Sequence, residues 1–431
     1  MLNLKKSFGE MSLNELSWVM LGAAVGVGNF FTSPVLISKY GAVNFLFSHL
    51  AALLLLCAPL LCAEIIWGKW LRRPLHDSFE IFGKHWKHLA TLVLLTLGLA
   101  LPVFIFSFSE FITRALHLWG YVQGTWPAFD SIKASFLFYY LTSILVAVVG
   151  LSFSVLSKKK FTKLVKYLCI FSFSCWAFVA YFILNEWGFT HHSSLLQIGF
   201  KTVALNSFVE VALFSFYSVT MGCGIFYLLS HWLPKKRVEE GGVIRLCFFI
   251  IGGDFLASIF AFLILAPFIK YGAGFGDHGP VKHLFLELIP QSMMFSNMGL
   301  FMLVLLNLSL VIMGIVTIAV LYRVCVENLK MSLRQTTSSA IYRLCWWSFI
   351  ALFLPVLPRL KNSMNYLAIE VLLPLAALVF MVAVQFKMPK KSQSLIIGRG
   401  FLLDPMIKIW RFFTYAIVFP FLIWVTLKHF L

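Results

Sequence analysis

Long apolar blocks dominate this sequence, and they limit the chain to folds that are built inside a lipid bilayer. Of its 431 residues, 60% are hydrophobic and only 12% are charged, whereas a soluble domain carries about 25% charged residues. A membrane-spanning helix needs roughly 20 apolar residues, and the blocks supply about eleven such segments. This composition excludes a soluble enzyme, a nucleic-acid-binding domain and a disordered chain.

The spacing of the apolar blocks predicts an all-α integral membrane protein of about eleven transmembrane helices. The predicted helices lie near residues 16–39, 42–69, 88–117, 134–153, 161–185, 203–231, 242–270, 296–328, 339–357, 364–387 and 404–427. They form two groups of five, at 16–185 and 203–387, which are preceded by an N-terminal segment at 1–15 and followed by an eleventh helix at 404–427.

The distribution of basic residues predicts the orientation of the chain in the membrane. With the N-terminus in the cytoplasm, 26 of the 35 Lys and Arg residues fall in or beside cytoplasmic loops. Because cytoplasmic loops carry the excess of Lys and Arg, residues 1–15 are predicted to be cytoplasmic and the C-terminus to lie outside. The net charge of +18 is therefore explained by membrane orientation, and we predict no nucleic-acid partner.

Small and polar residues interrupt two of the predicted helices in mid-membrane. Helix 1 has three glycines within Gly22–Gly28, and helix 6 contains the segment Ser215–Gly224. Glycine costs about 1 kcal/mol in a helix interior relative to alanine, and unwound backbone at membrane depth is tolerated where it lines a cavity or binds a ligand. The glycines could instead allow close helix packing. The two interrupted helices, 1 and 6, occupy equivalent positions in the two five-helix halves. This favours an inverted repeat with a binding site at the breaks.

Acidic residues within the apolar helices are candidates for function. Asp254 lies in helix 7 among apolar neighbours, where a charge costs about 2.5–3.5 kcal/mol, so its carboxyl group must be protonated, paired or bound to a cation. Glu64, near the inner end of helix 2, is more typical of a structural hydrogen bond. The sequence has no P-loop, nucleophile-elbow or zinc-protease motif, and we predict that the protein is not an enzyme.

Several segments carry recognisable motifs. Helix 1 reads GAAVGVGNFFTSP over residues 22–34, and helix 2 ends in PLLCAEIIWGK at residues 59–69. Helix 6 has Phe-Ser at 214–215 and Met-Gly at 221–222, and Asp254 follows in helix 7. In this order the motifs resemble the neurotransmitter:sodium symporter family in its eleven-helix bacterial form. The resemblance covers almost the whole chain and implies a secondary transporter of a bacterial inner membrane that works by alternating access.

The resemblance also implies two ion sites made of oxygen ligands, which suit a hard cation such as Na⁺. The residues implied for the first site are Ala24, Asn29, Ser215 and Asp254. The residues implied for the second site are Gly22, Val25 and Ser309, the last being the nearest hydroxyl on helix 8. We therefore expect transport to be coupled to Na⁺, with H⁺ as the alternative cation.

The implied substrate is a small amino-acid-like solute whose carboxylate would meet the backbone amides at the break in helix 1. The implied substrate-binding residues are Val27, Gly28, Phe106, Phe216, Tyr217 and Val219. Phe106 stands where the family has a tyrosine, which favours an apolar or atypical amino acid or a related solute. A solute that is not an amino acid, or a channel or sensor that does not transport, is the alternative.

The outer gate is expected to differ from that of the family. The resemblance places Thr32 and Asn365 where the family has an arginine and an aspartate. Since both charges are absent together, we expect the outer gate to close through hydrogen bonds and packing instead of an ion pair.

Overall fold

The structure is a computed structural model that describes residues 11–83, 86–122, 136–196, 205–234, 242–271, 298–334, 336–356, 358–389, 392–393 and 403–428. Within these ranges the regular structure is helical and contains no strand. The predicted N-terminal segment 1–15 lies largely outside the described residues.

The helices follow the predicted apolar blocks closely. They are α1 (Leu13–Ala24), α2 (Gly28–Tyr40), α3 (Ala42–Leu71), α4 (Lys87–Val122), α5 (Phe136–Val155), α6 (Lys158–Leu196), α7 (Leu205–Ser218), α8 (Ile225–Leu229), α9 (Gly242–Tyr271), α10 (Gly299–Leu333), α11 (Thr337–Ala351), α12 (358–387) and α13 (403–428). Short 3₁₀ turns occupy Leu75–Asp77, Glu80–Phe82, Ser230–Trp232 and Leu354–Val356. Single π-helical segments interrupt α3 at Leu53–Cys57, α12 at Tyr366–Leu372 and Ala383–Lys387, and α13 at Thr414–Val418.

Seven of the described helices are long and apolar enough to cross a membrane. These segments are Ala42–Leu71, Lys87–Thr113, Lys158–Glu186, Gly242–Ala266, Gly299–Leu333, Leu360–Lys387 and Ile407–Leu427. The α1–α2 pair adds an eighth span, with a bend of 54° between its two halves. Two shorter apolar helices, Tyr139–Val155 and Ser207–Ser218, correspond to the predicted fourth and sixth spans.

The predicted break in helix 1 lies between α1 and α2. A capping box of Ser12 and Glu15 starts α1, and the helix ends where Val25 adopts an extended backbone conformation. The next helix begins at Gly28. The last carbonyl groups of α1 and the first amide groups of α2 are thereby left without helical partners in the middle of the protein.

The predicted break in helix 6 lies between α7 and α8. Thr220, Gly222 and Gly224 have φ values of 54°, 80° and 72°, a left-handed conformation that cannot continue an α-helix. Gly222 also has no room for a side chain, because a Cβ atom there would lie 2.6 Å from the backbone oxygen of Leu373. Glycine is thus required at position 222 for both conformational and steric reasons.

The two broken helices pack in the middle of the helix bundle. Helix α1 packs against α6, α9 and α10, and α2 packs against α9, while α7 packs against the first half of α3. The largest fully buried side chains, Trp67, Trp176 and Trp232, belong to α3, α6 and the turn after α8. This arrangement brings the breaks in helices 1 and 6 next to α9 and α10.

Candidate ion and substrate site at the helix breaks

A buried cluster of three polar side chains joins the breaks to α9. The Asn29 amide nitrogen donates to the backbone oxygen and to the Oδ1 atom of Asp254, both at 3.0 Å. The Ser218 hydroxyl lies 2.6 Å from Asn29 Oδ1 and also contacts Asp254 Oδ1. Asn29 and Asp254 are fully buried. Residues from α2, α7 and α9 therefore meet at one set of oxygen atoms, in agreement with the predicted proximity of Asn29 and Asp254.

The serine in this cluster is Ser218 rather than the predicted Ser215. The Ser215 hydroxyl donates to the Val211 backbone oxygen at 2.8 Å and lies 2.8 Å from the His49 Nδ1 atom. It is therefore separated from Asp254 by the imidazole ring. The three-residue difference is about one helical turn, so both serines project from the same side of α7.

One oxygen of Asp254 remains available in this cluster. Its Oδ2 atom is buried and receives no hydrogen bond from the described residues, while the nearest nitrogen with which it pairs is His49 Nε2, 3.4 Å away. A buried carboxylate oxygen without a donor is costly unless a cation or proton satisfies it. The Asp254, Asn29 and Ser218 side chains together present carboxylate, amide and hydroxyl oxygens, which are the ligand types that suit a hard cation. Ala24 is the last residue of α1 and is almost completely buried.

A second group of oxygen atoms lies at the C-terminal end of α1. The Thr317 hydroxyl of α10 lies 2.9 Å from the Gly22 oxygen, 3.3 Å from the Val25 oxygen and 3.1 Å from the Met313 oxygen. A hydroxyl group has a single proton, so it can satisfy only one of these three carbonyl groups. Gly22 and Val25 are therefore brought together as the sequence implied.

The hydroxyl at this second group is Thr317, and the structure does not bring Ser309 to it. The Ser309 side chain donates to the Leu306 oxygen in its own helix, and the Ser309 carbonyl accepts from Ser172. Eight residues separate Ser309 from Thr317, which corresponds to about 12 Å along a helix.

The predicted substrate positions Val27 and Gly28 lie at the start of α2, where free amide groups and the positive helix end coincide. Gly28 remains partly exposed, and a Cβ atom built on it would lie 3.7 Å from the Tyr217 ring. A Cβ atom on Gly26 would lie 3.6 Å from the Phe104 ring. The rings of Tyr217 and Phe104 thus border the break in helix 1.

Other predicted substrate residues have neighbours elsewhere. The Phe106 ring contacts Tyr139 and the Lys361 ammonium group, and the helix face of α4 that meets the break carries Phe104 instead. The Phe216 ring stacks on Phe421 of α13 at 5.9 Å. Val219 is fully buried at the start of the break in helix 6.

Aromatic packing covers the side of the breaks that the basic residues predict to be the outer side. Phe31 of α2 and Phe111 of α4 have ring centroids 5.0 Å apart. The predicted gate residue Thr32 is half-buried beside Phe31, whereas Asn365 is exposed on α12. These two residues make no hydrogen bond to each other in the described part of the chain. An ion pair does occur on this side, between Lys361 and Glu110 at 2.6 Å, and it links α12 to α4.

The opposite side, predicted to be the inner side, is closed around Trp232, which is almost completely buried. The Met11 amide donates to the Trp232 backbone oxygen at 3.0 Å. The ammonium group of Lys158 and the guanidinium group of Arg323 lie 5.0 and 5.8 Å from the indole ring. Arg323 also pairs with Glu327 at 3.2 Å. These contacts connect the N-terminal segment, α6 and α10 at the end of helix 6.

A cavity of about 330 Å³ lies away from the breaks, between α5, α10 and α11. Its walls are almost entirely apolar and include Ile144, Tyr322 and Trp346, of which Trp346 is exposed at the protein surface. It contains none of the polar groups that meet at Asp254 and does not contribute to the candidate site.

The structure resembles that of MhsT in complex with L-phenylalanine. The two superimpose with a TM-score of 0.80 at 16% sequence identity, over 97% of this chain and 99% of MhsT. No protein-family model matches the sequence, and no curated protein matches it. At this level of identity the likeness shows the fold alone, and the chain shares the fold of MhsT. It confirms the predicted all-α integral membrane protein with an inverted five-helix repeat and broken helices 1 and 6.

Proposed function

We propose that the protein is a Na⁺-coupled secondary transporter that imports a small amino-acid-like solute by alternating access. It would act in a bacterial inner membrane with the N-terminus in the cytoplasm and the C-terminus outside. The observation that carries the proposal is the buried Asp254 carboxylate, which meets Asn29 and Ser218 between two helix breaks and keeps one oxygen without a hydrogen bond.

The break in helix 1 offers carbonyl oxygens on one side and amide groups on the other, so a cation and an anionic group could bind next to each other. The carbonyl end of α1 supplies the Gly22 and Val25 oxygens to the group that contains Thr317, and Asp254 supplies a negative charge close to the break. The start of α2 supplies amide groups at Val27 and Gly28, where the helix dipole favours a carboxylate. A zwitterionic solute and Na⁺ would therefore both find complementary charge at the same break.

The two possible cation positions differ in whether a carboxylate contributes to them. Asn29, Ser218 and Asp254, with the Ala24 carbonyl, would hold Na⁺ at the first position, where the carboxylate balances its charge. Gly22, Val25, Met313 and Thr317 would hold a second Na⁺ with neutral oxygens only. Because a carboxylate attracts a cation more strongly than a neutral oxygen does, we assign the coupling ion to the first position.

The side chain of the solute is expected to be apolar. The rings of Phe104 and Tyr217 border the break, and they offer apolar surface to such a side chain. The solved structure that this chain resembles holds L-phenylalanine, so aromatic and branched amino acids are the first solutes to test.

Alternating access requires that one side of the breaks opens while the other stays closed. The outer closure depends on the Phe31–Phe111 contact, and the inner closure depends on Trp232 with its two cationic neighbours. Binding of cation and solute would stabilise the closed outer side by joining α2, α7 and α9.

Uptake by purified protein in proteoliposomes tests the proposal. Radiolabelled amino acids would be offered under an inward Na⁺ gradient, a pH gradient or no gradient. Accumulation that requires the Na⁺ gradient is the expected result. Uptake driven by the pH gradient without Na⁺ would establish proton coupling instead, and equilibration without accumulation under every gradient would indicate a channel. Binding of a solute without any flux would indicate a sensor.

A further inference from the structure

The imidazole ring of His49 is a polar group that the sequence motifs did not single out. It is fully buried in α3 and lies parallel to the Phe45 ring at 5.5 Å. Its Nδ1 atom lies 2.8 Å from Ser215 Oγ, and its Nε2 atom lies 3.1 Å from Ser258 Oγ. Both ring nitrogens therefore have a hydroxyl partner.

The position of the ring protons follows from the partners of these hydroxyl groups. Ser215 Oγ lies 2.8 Å from the Val211 carbonyl oxygen, which can only accept, so the serine proton is directed to Val211. The Ser215 oxygen is then an acceptor for a proton on His49 Nδ1. The Ser258 hydroxyl can in turn donate to an unprotonated Nε2 atom.

The distance to Asp254 supports the same assignment. His49 Nε2 lies 3.4 Å from Asp254 Oδ2, whereas a charge-assisted hydrogen bond between N⁺–H and a carboxylate oxygen measures about 2.7–2.9 Å. The longer separation fits an Nε2 atom that does not donate a hydrogen bond to this carboxylate. Asp254 is the ionisable side chain of α9 that the ring faces.

We propose that His49 is a positioning residue of the cation site, and this inference rests on the proposed function. Its neutral imidazole carries the proton on Nδ1 and accepts the Ser258 proton at Nε2. As a result neither the histidine nor Ser258 donates to Asp254 Oδ2, and that oxygen remains free for a cation.

Nitrogen resonances of the histidine side chain test the proton assignment directly. Full-length protein labelled with ¹⁵N-histidine would be measured at a single neutral pH without Na⁺, and His49 would be assigned by its loss in His49→Gln. A protonated Nδ1 and an unprotonated Nε2 are expected, and added Na⁺ should shift the Nε2 resonance. Two protonated nitrogens, or a proton on Nε2, would overturn the inference.

Sodium binding to two variants tests the positioning role. His49→Phe keeps a ring beside Phe45 but has no polar atom, and it should weaken Na⁺ binding by about 10–100-fold, as for other residues that orient metal ligands. His49→Gln can still accept the Ser258 proton and should restore most of the affinity. His76→Gln is the matched control, because it makes the same replacement at an exposed histidine. Unchanged Na⁺ affinity in His49→Phe would overturn the inference.

The outcomes separate this inference from the proposed function. Wild-type protein that binds no Na⁺ would contradict sodium coupling. Wild-type protein that binds Na⁺ with an imidazolium at position 49 would contradict only the role assigned to His49.

Discussion

The carboxylate of Glu64 accepts a hydrogen bond from the backbone amide of Gly222 at 2.6 Å. A side chain of α3 thereby holds the unwound segment between α7 and α8, because the left-handed backbone at Gly222 turns its amide away from any helical acceptor. The structural role expected for Glu64 is therefore supported by a specific partner. The break in helix 6 is a fixed feature of the fold, since both its conformation and its hydrogen bonding are specified.

Replacement of Gly222 by alanine should destabilise the protein. The new Cβ atom would lie 2.6 Å from the Leu373 oxygen at a φ of 80°, and left-handed strain alone costs about 1–3 kcal/mol. Thermal unfolding in detergent would show a lower midpoint. Gly252→Ala is the matched control, because nothing lies within 4 Å of its Cβ position, and it should be neutral or stabilising by up to about 1 kcal/mol. Equal midpoints for both variants would contradict this account of the break.

Ser218 and Ser215 should differ in their effect on Na⁺ affinity. Ser218→Ala removes a hydroxyl that contacts both Asn29 and Asp254, and the loss of such a buried partner costs about 1–3 kcal/mol, which is at least a fivefold loss of affinity. Ser215→Ala removes contacts with His49 and with the Val211 carbonyl oxygen, neither of which involves Asn29 or Asp254, and should have a smaller effect. Binding of radioactive sodium to the purified variants would decide between them. A larger loss in Ser215→Ala would favour the position implied by sequence.

On α10, Thr317 and Ser309 should differ in the same way in their effect on the sodium dependence of transport. Thr317→Val keeps the shape of the side chain but removes the hydroxyl that faces Gly22 and Val25, and it should lower the apparent Na⁺ affinity of transport. Ser309→Ala removes only a hydrogen bond within the helix and should leave transport unchanged. The dependence of uptake on Na⁺ concentration measures both. Impaired sodium dependence in Ser309→Ala alone would restore the sequence-based prediction.

The helix breaks could be predicted from sequence, whereas the partners across them could not. Glycines in mid-span report a local conformational requirement, so Gly22–Gly28 was informative by itself. The choice of Ser218 over Ser215, or of Thr317 over Ser309, depends on how far each helix is rotated and displaced against its neighbours. Motif spacing specifies neither the rotation nor the displacement of a helix.

Side chains that meet from distant helices were also hidden in the sequence. Phe104 rather than Phe106 faces the break because of the rotation of α4, and an all-apolar stretch gives no sign of that rotation. His49 is a single histidine in an apolar helix, which is typical of a buried structural residue. Its relation to Asp254, 205 positions later, emerges only when α3 and α9 are packed together.

Removal of an outer aromatic ring should expose the breaks to the outside. Phe31→Ala eliminates a ring contact with Phe111, and such aromatic pairs contribute about 0.5–1.5 kcal/mol, equivalent to about two- to tenfold in the closed population. A cysteine at Thr32, in a background with the exposed Cys345 replaced by serine, would react faster with an impermeant thiol reagent in this variant. An unchanged labelling rate would show that Phe31 does not close the outer side.

The orientation proposed from the basic residues can be tested at the C-terminus. The bias of 26 out of 35 Lys and Arg residues predicts a cytoplasmic N-terminus, and an odd number of spans then places the C-terminus outside. A C-terminal alkaline phosphatase fusion should be active, because that enzyme requires the oxidising compartment outside the inner membrane. A C-terminal fluorescent reporter that functions only in the cytoplasm should be silent, and the reverse pattern would refute the orientation.

Sodium-driven uptake by Asp254→Asn in proteoliposomes tests directly whether the Asp254 carboxylate couples Na⁺ to transport. Asparagine keeps the size of the side chain and an oxygen that can accept from Asn29 and Ser218, but it removes the negative charge that the cation would balance. Glu210→Gln is the matched control, since Glu210 forms an exposed ion pair with Lys39. Stimulation by Na⁺ should disappear in Asp254→Asn and persist in Glu210→Gln, while both variants remain folded. Full sodium-stimulated uptake by Asp254→Asn would contradict the coupling role of Asp254.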